Sequence, residues 1–180
     1  MTIICALHDS AAGGTWIGAN TGSTVADSPL PTYDTKWLLR GPWALGLAGD
    51  GRAFTLLEAE AESLFDSLEA PYELTQRIRQ LFDDAGIKDP DKASVPAYGQ
   101  AMILANAQAV FDLDSALAHS RIAEGRLWAR GSGMDFALGA DHALADLNLP
   151  AETRVKKALQ AAMANDVFCP GEMYLHKLEG

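Results

Sequence analysis

Thr2 is followed by five apolar residues, Ile3-Ile4-Cys5-Ala6-Leu7. Methionine before a small residue is commonly trimmed, and loss of Met1 would leave Thr2 with a hydroxyl and a free α-amine on one residue. That amine has a reference pKa of about 7.7–8.0 and accepts a proton near neutrality. One residue then supplies both nucleophile and base. The plainer role for Thr2 is as a residue that favours strands. Most other motifs with chemical meaning are missing: there is no Walker-type glycine loop, no HExxH and no CxxC. The histidines, His8, His119, His142 and His176, are scattered, so neither a metal nor another cofactor is expected. The run GSGMDFALG at 131–139 lacks the GxGxxG spacing and reads as a tight turn entering a helix.

The elements that must carry Thr2 follow from periodicity. Residues 2–7 read as a strand buried on both faces, and 15–20 as its hairpin partner. Residues 29–34 read as a loop. Residues 36–49 form a second hairpin with Gly41-Pro42 at its turn. The period then lengthens. Phe54, Leu57, Ala61, Leu64, Phe65 and Leu68, then Leu74, Ile78, Leu81 and Phe82, mark two amphipathic helices separated by Pro71. Residues 84–99 are a polar loop. Strands follow at 100–106, 109–114 and 125–130. Two helices come next, one carrying Phe136, Ala140, Ala143, Leu144 and Leu147, the other Val155, Ala158, Leu159, Ala162 and Met163. Residues 172–179 close the chain as a strand. Strands in blocks and helices in pairs suit two helix pairs flanking a two-sheet core. With no internal repeat or interdomain linker, residues 1–180 are expected to form one domain.

Composition removes several classes. The net charge of −10 opposes nucleic acid, whose affinity comes largely from Lys and Arg neutralising phosphates, and opposes anionic membrane surfaces. No apolar run approaches the ~20 residues of a spanning helix, and no basic leader precedes Asp9. Cys5 and Cys169 do not make a disulfide framework. A cytoplasmic protein with reduced thiols is expected.

Six segments, TIICAL (2–7), TWIGANTGS (15–23), TKWLL (35–39), LGLAGDGRAF (45–54), GSGMDFALGA (131–140) and ANDVFCPG (164–171), occur in the order and approximate spacing of the proteasome β-subunit family, to which the bacterial HslV peptidase belongs. The chain resembles that family over nearly its whole length. The resemblance implies an α+β fold, a four-layer αββα sandwich, and an N-terminal-nucleophile hydrolase. Residue by residue, Thr2 matches the nucleophile and Lys36 the lysine that lowers the hydroxyl's proton affinity. Gly49 matches the glycine whose N–H forms the oxyanion hole, and Ser132 and Asp166 match polar residues around the threonine amine. Taken singly, each has a plainer role: Lys36 a lysine snorkelling at a strand edge, Gly49 a turn, Ser132 and Asp166 helix-end caps.

Two residues depart from the family pattern. Asn20 stands where an aspartate usually pairs with the lysine, and Cys169 where a serine is usual. Losing the carboxylate weakens the support for a charged Lys36, so Asn20→Asp is expected to raise activity and extend it to higher pH. The resemblance further implies a peptide or unfolded-polypeptide substrate and a homo-oligomeric ring or spiral, with Leu56 and Leu138 as subunit contacts. Whether an ATPase partner exists is not legible. Two other functions fit the same residues: a catalytically silent structural or interaction subunit, and an amide-bond enzyme acting on a non-protein substrate.

Overall fold

The computed structural model describes residues 2–25, 28–30, 35–88 and 97–180. Two larger antiparallel sheets organise them. The first runs β10-β1-β2-β11, from Trp128–Gly131, Ile3–Asp9, Gly14–Asn20 and Met173–Glu179. The second runs β5-β6-β7-β8-β9, from Trp37–Arg40, Trp43–Ala48, Ala101–Asn106, Ala109–Leu113 and His119–Arg121. A two-stranded ribbon joins β3, Ser23–Val25, to β4, Ser28–Leu30. The helices are α1 (Gly51–Ala59), α2 (Ala61–Phe65), α3 (Pro71–Asp84), α4 (Met134–Ala143) and α5 (Ala151–Asn165).

Strand β1 shows why its sequence is apolar without alternation. Successive side chains of a strand point to opposite faces, and both faces of β1 are covered. Ile3, Cys5 and Leu7 pack with Ala137 of α4 and Val155, Ala158, Leu159 and Ala162 of α5. Ile4 and Ala6 face the other way, and with Ile17 and Ala19 of β2 they meet Trp37, Ala44, Ile103, Ala105 and Val110 of the second sheet. The far face of that second sheet carries Leu45, Leu47, Met102, Leu104 and Leu113, which pack with Leu57, Leu64, Leu74, Ile78 and Phe82 of α1–α3. Three apolar clusters thus follow one another through the molecule, and β1 belongs to two of them.

A polar tie crosses between the sheets. Asp112 of β8 accepts from Arg130 Nε of β10 at 2.6 Å and from Trp128 Nε1 at 2.9 Å, and a second contact joins Arg130 Nη2 to its other oxygen. Trp37 makes another crossing, its indole N–H donating to the Gly18 carbonyl of β2 at 3.0 Å.

The two expected hairpins form, with Gly41 at φ +55° in the second turn. Several boundaries differ from expectation. Residues 29 and 30 lie in β4 rather than in a loop, while 31–34 and 89–96 lie outside the described residues. The helical run after Gly49 is broken at Glu60 (φ −100°, ψ 11°) into α1 and α2. Pro71 opens α3 rather than standing between helices, because the first helical residue needs no N–H partner. Helix α4 ends at Ala143, followed by a 3-10 turn over Ala145–Leu147. The strand expected at 125–130 begins only at Trp128. Strand β9 is exposed and reads His-Ser-Arg, so no apolar pattern announces it. No helix among the described residues is long and apolar enough to cross a membrane.

Candidate active site

Thr2 enters β1, which is flanked by β10 on one side and β2 on the other. The ends of both neighbours therefore converge on it. Its side chain is buried, with 6 % of the residue exposed. From β2 comes Asn20, whose Oδ1 accepts from Thr2 Oγ1 at 2.8 Å and from the Ile3 N–H at 2.9 Å. Nδ2 of Asn20 donates to the carbonyls of Gly22 and Pro170, at 2.9 and 2.8 Å.

The β10–α4 turn supplies the opposite wall. A Cβ at Gly131 (φ +109°) would fall 2.0 Å from the Thr2 carbonyl oxygen, and one at Gly133 would fall 2.8 Å from Ala162 Cβ and 3.0 Å from Cys169 Sγ. Glycine at both places lets the turn close on Thr2. Ser132 between them stands on the exposed rim, with its Oγ 3.5 Å from the Thr2 carbonyl oxygen and 3.8 Å from Cys169 Sγ.

Asp166 ends α5 and is buried. It accepts from the Phe168 N–H at 2.9 Å and from the Cys169 thiol at 3.2 Å. Burial works against its charge, but Ser132, the Phe168 N–H and the Cys169 thiol outweigh it and hold the carboxyl below its ordinary value. Burial and the neighbouring carboxylate push the Cys169 thiol up to about 12, so it is a neutral donor at physiological pH. Cys169 thus supplies a hydrogen-bond donor to Asp166. The loops around Asn20 are stitched together as well. Gly22 N–H donates to the Pro170 carbonyl at 3.0 Å, Thr21 N–H to the Glu172 carbonyl at 2.9 Å, and Glu172 N–H to Thr21 Oγ1 at 2.9 Å.

Lys36 and Gly49 come from the second sheet. Lys36 directly precedes Trp37, which the Gly18 contact pins against β2, and its carbonyl accepts from the Leu47 N–H at 3.1 Å. Lys36 Nζ donates to Ser23 Oγ at 2.6 Å. Asn20 directs its amide hydrogens to two backbone carbonyls. Gly49 follows β6 and precedes Asp50, the N-cap of α1, whose side chain accepts from Arg52 N–H. The Ala48 side of this segment approaches Thr2, since a Cβ on Gly131 would lie 2.0 Å from the Thr2 oxygen and 3.4 Å from Ala48 Cβ.

Sequence reasoning missed Gln100. It is buried, accepts from the Asp50 N–H at 2.8 Å and donates to the Tyr98 carbonyl at 3.0 Å. A Cβ on Gly49 would fall 1.9 Å from its Oε1, so Gln100 is what requires glycine at 49. One signal was present: a polar residue just ahead of the apolar run Ala101–Ala105. Thr21 and Ser23 were also missed as structural partners. Both stood inside the segment TWIGANTGS.

Chemically, a hydroxyl at the start of a central strand is held by Asn20, a carboxylate–thiol pair lies beyond Ser132, and Lys36 and Gly49 flank β5 and β6 of the other sheet. Among the described residues, no group of three His, Cys, Asp or Glu side chains is placed to hold a metal. No family model and no curated protein matches the sequence. Solved structures do match. Thiobacillus denitrificans BPH aligns over 99 % of this chain and 98 % of its own with 18 % identity and a TM-score of 0.80. The same protein in complex with Epoxomicin aligns over both full lengths with 18 % identity and a TM-score of 0.76. Eukaryotic HslV from Trypanosoma brucei aligns over 99 % of this chain and 100 % of its own with 20 % identity and a TM-score of 0.74. The chain has a proteasome/HslV-type fold, with mixed α and β structure.

Proposed function

We propose, from a proteasome/HslV-type fold that closes around a buried Thr2, that the chain is an N-terminal threonine hydrolase of peptide bonds. The observation that carries this reading is convergence. Thr2 sits at the start of a central strand, its hydroxyl donating to Asn20 and its carbonyl 3.5 Å from Ser132 Oγ, with the Asp166–Cys169 pair reached through Ser132. The likeness to a fold whose solved members include an Epoxomicin complex supports it. The three successive apolar clusters support the finer architecture, a four-layer αββα sandwich.

In this mechanism loss of Met1, which lies outside the described residues, frees the Thr2 α-amine. The Thr2 hydroxyl attacks the scissile carbonyl carbon and its proton passes to that amine. The Gly49 N–H holds the developing oxyanion. Lys36 stabilises the attacking oxygen by its positive charge. Collapse breaks the C–N bond as the α-ammonium hands that proton to the leaving nitrogen, which releases the amine product and leaves an ester on Thr2. Water then hydrolyses the ester, and its proton again goes through the α-amine. The lowered carboxyl of Asp166 stays ionised, so it favours the protonated amine that forms.

The protein is proposed to be cytoplasmic and to act as a homo-oligomer on peptide or unfolded polypeptide. Leu56 and Leu138, expected as subunit contacts, are half-buried against their own cores. Among the described residues, the large exposed apolar ones are instead Tyr72, Phe136, Leu147 and Val167. A monomer by native mass spectrometry at micromolar concentration would count against assembly.

A second reading has its own observation. The Thr2 hydroxyl donates to a neutral amide rather than to a base, which suits a silent subunit that keeps Met1. Intact mass combined with hydrolysis of a fluorogenic peptide panel decides between the two. The hydrolase loses Met1, cleaves at least one peptide, and is abolished by Thr2→Ala with its fold intact. Full retention of Met1 in protein that hydrolyses the panel would remove Thr2 from the reaction.

A further inference from the structure

Asn20 is completely buried at the end of β2, and each polar atom of its side chain is engaged. Which atom is oxygen and which is nitrogen has one solution. The Ile3 N–H needs an acceptor, while the Gly22 and Pro170 carbonyls accept only from a donor. The amide therefore faces Thr2 with its carbonyl and the two loops with its NH2. We propose that Asn20 is a positioning residue of fixed polarity. Its amide holds the Thr2 hydroxyl and the start of β1 in place, and the two carbonyls behind it exclude a carboxylate at this position. The orienting half rests on the hydrolase reading; the electrostatic half rests on geometry alone.

Asn20→Asp would put a carboxylate oxygen where Nδ2 now stands, 2.9 and 2.8 Å from two carbonyl oxygens. No proton would lie between them, so the charged form is disfavoured in the folded state. The folded pKa of that carboxyl then lies above its unfolded value of about 3.9. The destabilisation is small at acid pH, where both states are protonated, and grows as pH rises. This reverses the sequence-based expectation that the aspartate would improve the site. The ionisable groups carried by the surrounding elements are the Thr2 α-amine at the start of β1 once Met1 is lost, Lys36 before β5, Asp166 and Cys169 after α5, and Glu172 before β11. All are unchanged in the variants, so their own titration cancels to first order in a difference from wild type.

The test compares wild type, Asn20→Asp and Asn20→Ala. Thermal melts without substrate are run from pH 3 to 8, a range that spans the carboxyl's unfolded value of about 3.9, and kcat and KM are measured on the peptide panel. The Tm deficit of Asn20→Asp should widen with rising pH, whereas that of Asn20→Ala should stay flat. Folding of Asn20→Asp only at acid pH, or failure at every pH while Asn20→Ala folds, is the same result in stronger form. A deficit that shrinks with pH, or an Asn20→Asp protein as stable as wild type at pH 8, overturns the exclusion. Asn20→Ala should lower kcat by roughly tenfold or more with KM within about twofold, as lost orientation does, and leave the pH–rate limbs in place. Unchanged kcat overturns the orienting role. If wild type itself cleaves nothing, the hydrolase reading and this orienting half fall, while the melts still decide the electrostatic half.

Discussion

Cys169 occupies a place where the resembled family usually has serine, and its burial decides what it can do there. A thiol pushed up to about 12 stays protonated and donates to Asp166. Serine would make the same bond with a stronger donor, so Cys169→Ser should cost less than about 1 kcal/mol. Cys169→Ala, which strips a donor from a buried carboxylate, should cost about 1–3 kcal/mol in urea melts. The sign with pH follows from the raised thiol. The unfolded chain ionises near pH 8.5, the folded chain only near 12, so stability falls as pH rises through this window. Cys169→Ser should lose less stability than wild type between pH 8 and 10. Cys5 contributes equally to both proteins and cancels. Parallel curves would show that the thiol is not the titrating group. On the acid side, the lowered carboxyl of Asp166 stabilises the fold above its unfolded pKa, and that contribution is lost as pH falls through its folded value.

Lys36 belongs to the same scale. A hydrogen bond to Ser23 orients its ammonium, and the proposed mechanism needs that compact charge. Lys36→Ala should reduce kcat by roughly a hundredfold or more. Lys36→Arg should not restore it, because a planar guanidinium has a different size and reach. Wild-type rates in either variant would reject the role.

Among the elements, the β6–α1 junction is the sharpest constraint. Gln100, ahead of β7, clamps this junction through the Asp50 N–H and fills the space beside Gly49. It is tied at its other end to Tyr98, so it cannot yield to a methyl group without breaking one of its bonds. Gly49→Ala should cost about 1–3 kcal/mol through this overpacking. Gln100→Ala in the same chain should recover part of that cost, giving a coupling of at least about 0.5 kcal/mol in a double-mutant cycle. Strictly additive denaturation energies would show that Gln100 does not enforce the glycine.

At the scale of the molecule, the two sheets are joined by a large apolar interface and an ionic crossing between Asp112 and Arg130. Asp112 is buried and accepts from both Arg130 and Trp128. Removing it leaves a guanidinium facing the interior without its partner, which typically costs about 3–5 kcal/mol. Asp112→Ala should therefore lower Tm by roughly 10 °C, at about 2–4 °C per kcal/mol for a chain of this size. Asp112→Ala combined with Arg130→Met should regain some of it, since the stranded charge is then gone. A shift below about 2 °C in the single variant would mean that the apolar cluster alone holds the sheets together.

Hydropathy by itself determined the elements that bury strong periodic patterns. The run Ile3–Leu7 read as a strand covered on both faces, and Val155, Ala158, Leu159 and Ala162 read as one face of a helix, as the structure has them. Six segments in family order singled out Thr2, Lys36, Gly49, Ser132 and Asp166, and the fold likeness agrees with that resemblance. Where local pattern was weak, tertiary pairing made the choice. The ribbon β3–β4 and the polar strand β9 exist because neighbouring strands offer hydrogen-bond partners, and short polar stretches carry no period to reveal it. The fit of Gly49 against Gln100 was likewise invisible, because 50 residues separate an atom of one from the Cβ that the other lacks. The polarity of Asn20 is the clearest case. Its type and place were plain in the sequence, but the atoms that face it come from residue 170 as well as residues 2, 3 and 22. Whether a position favours an amide or a carboxylate depends on where nearby dipoles point, and only the folded chain brings those dipoles together.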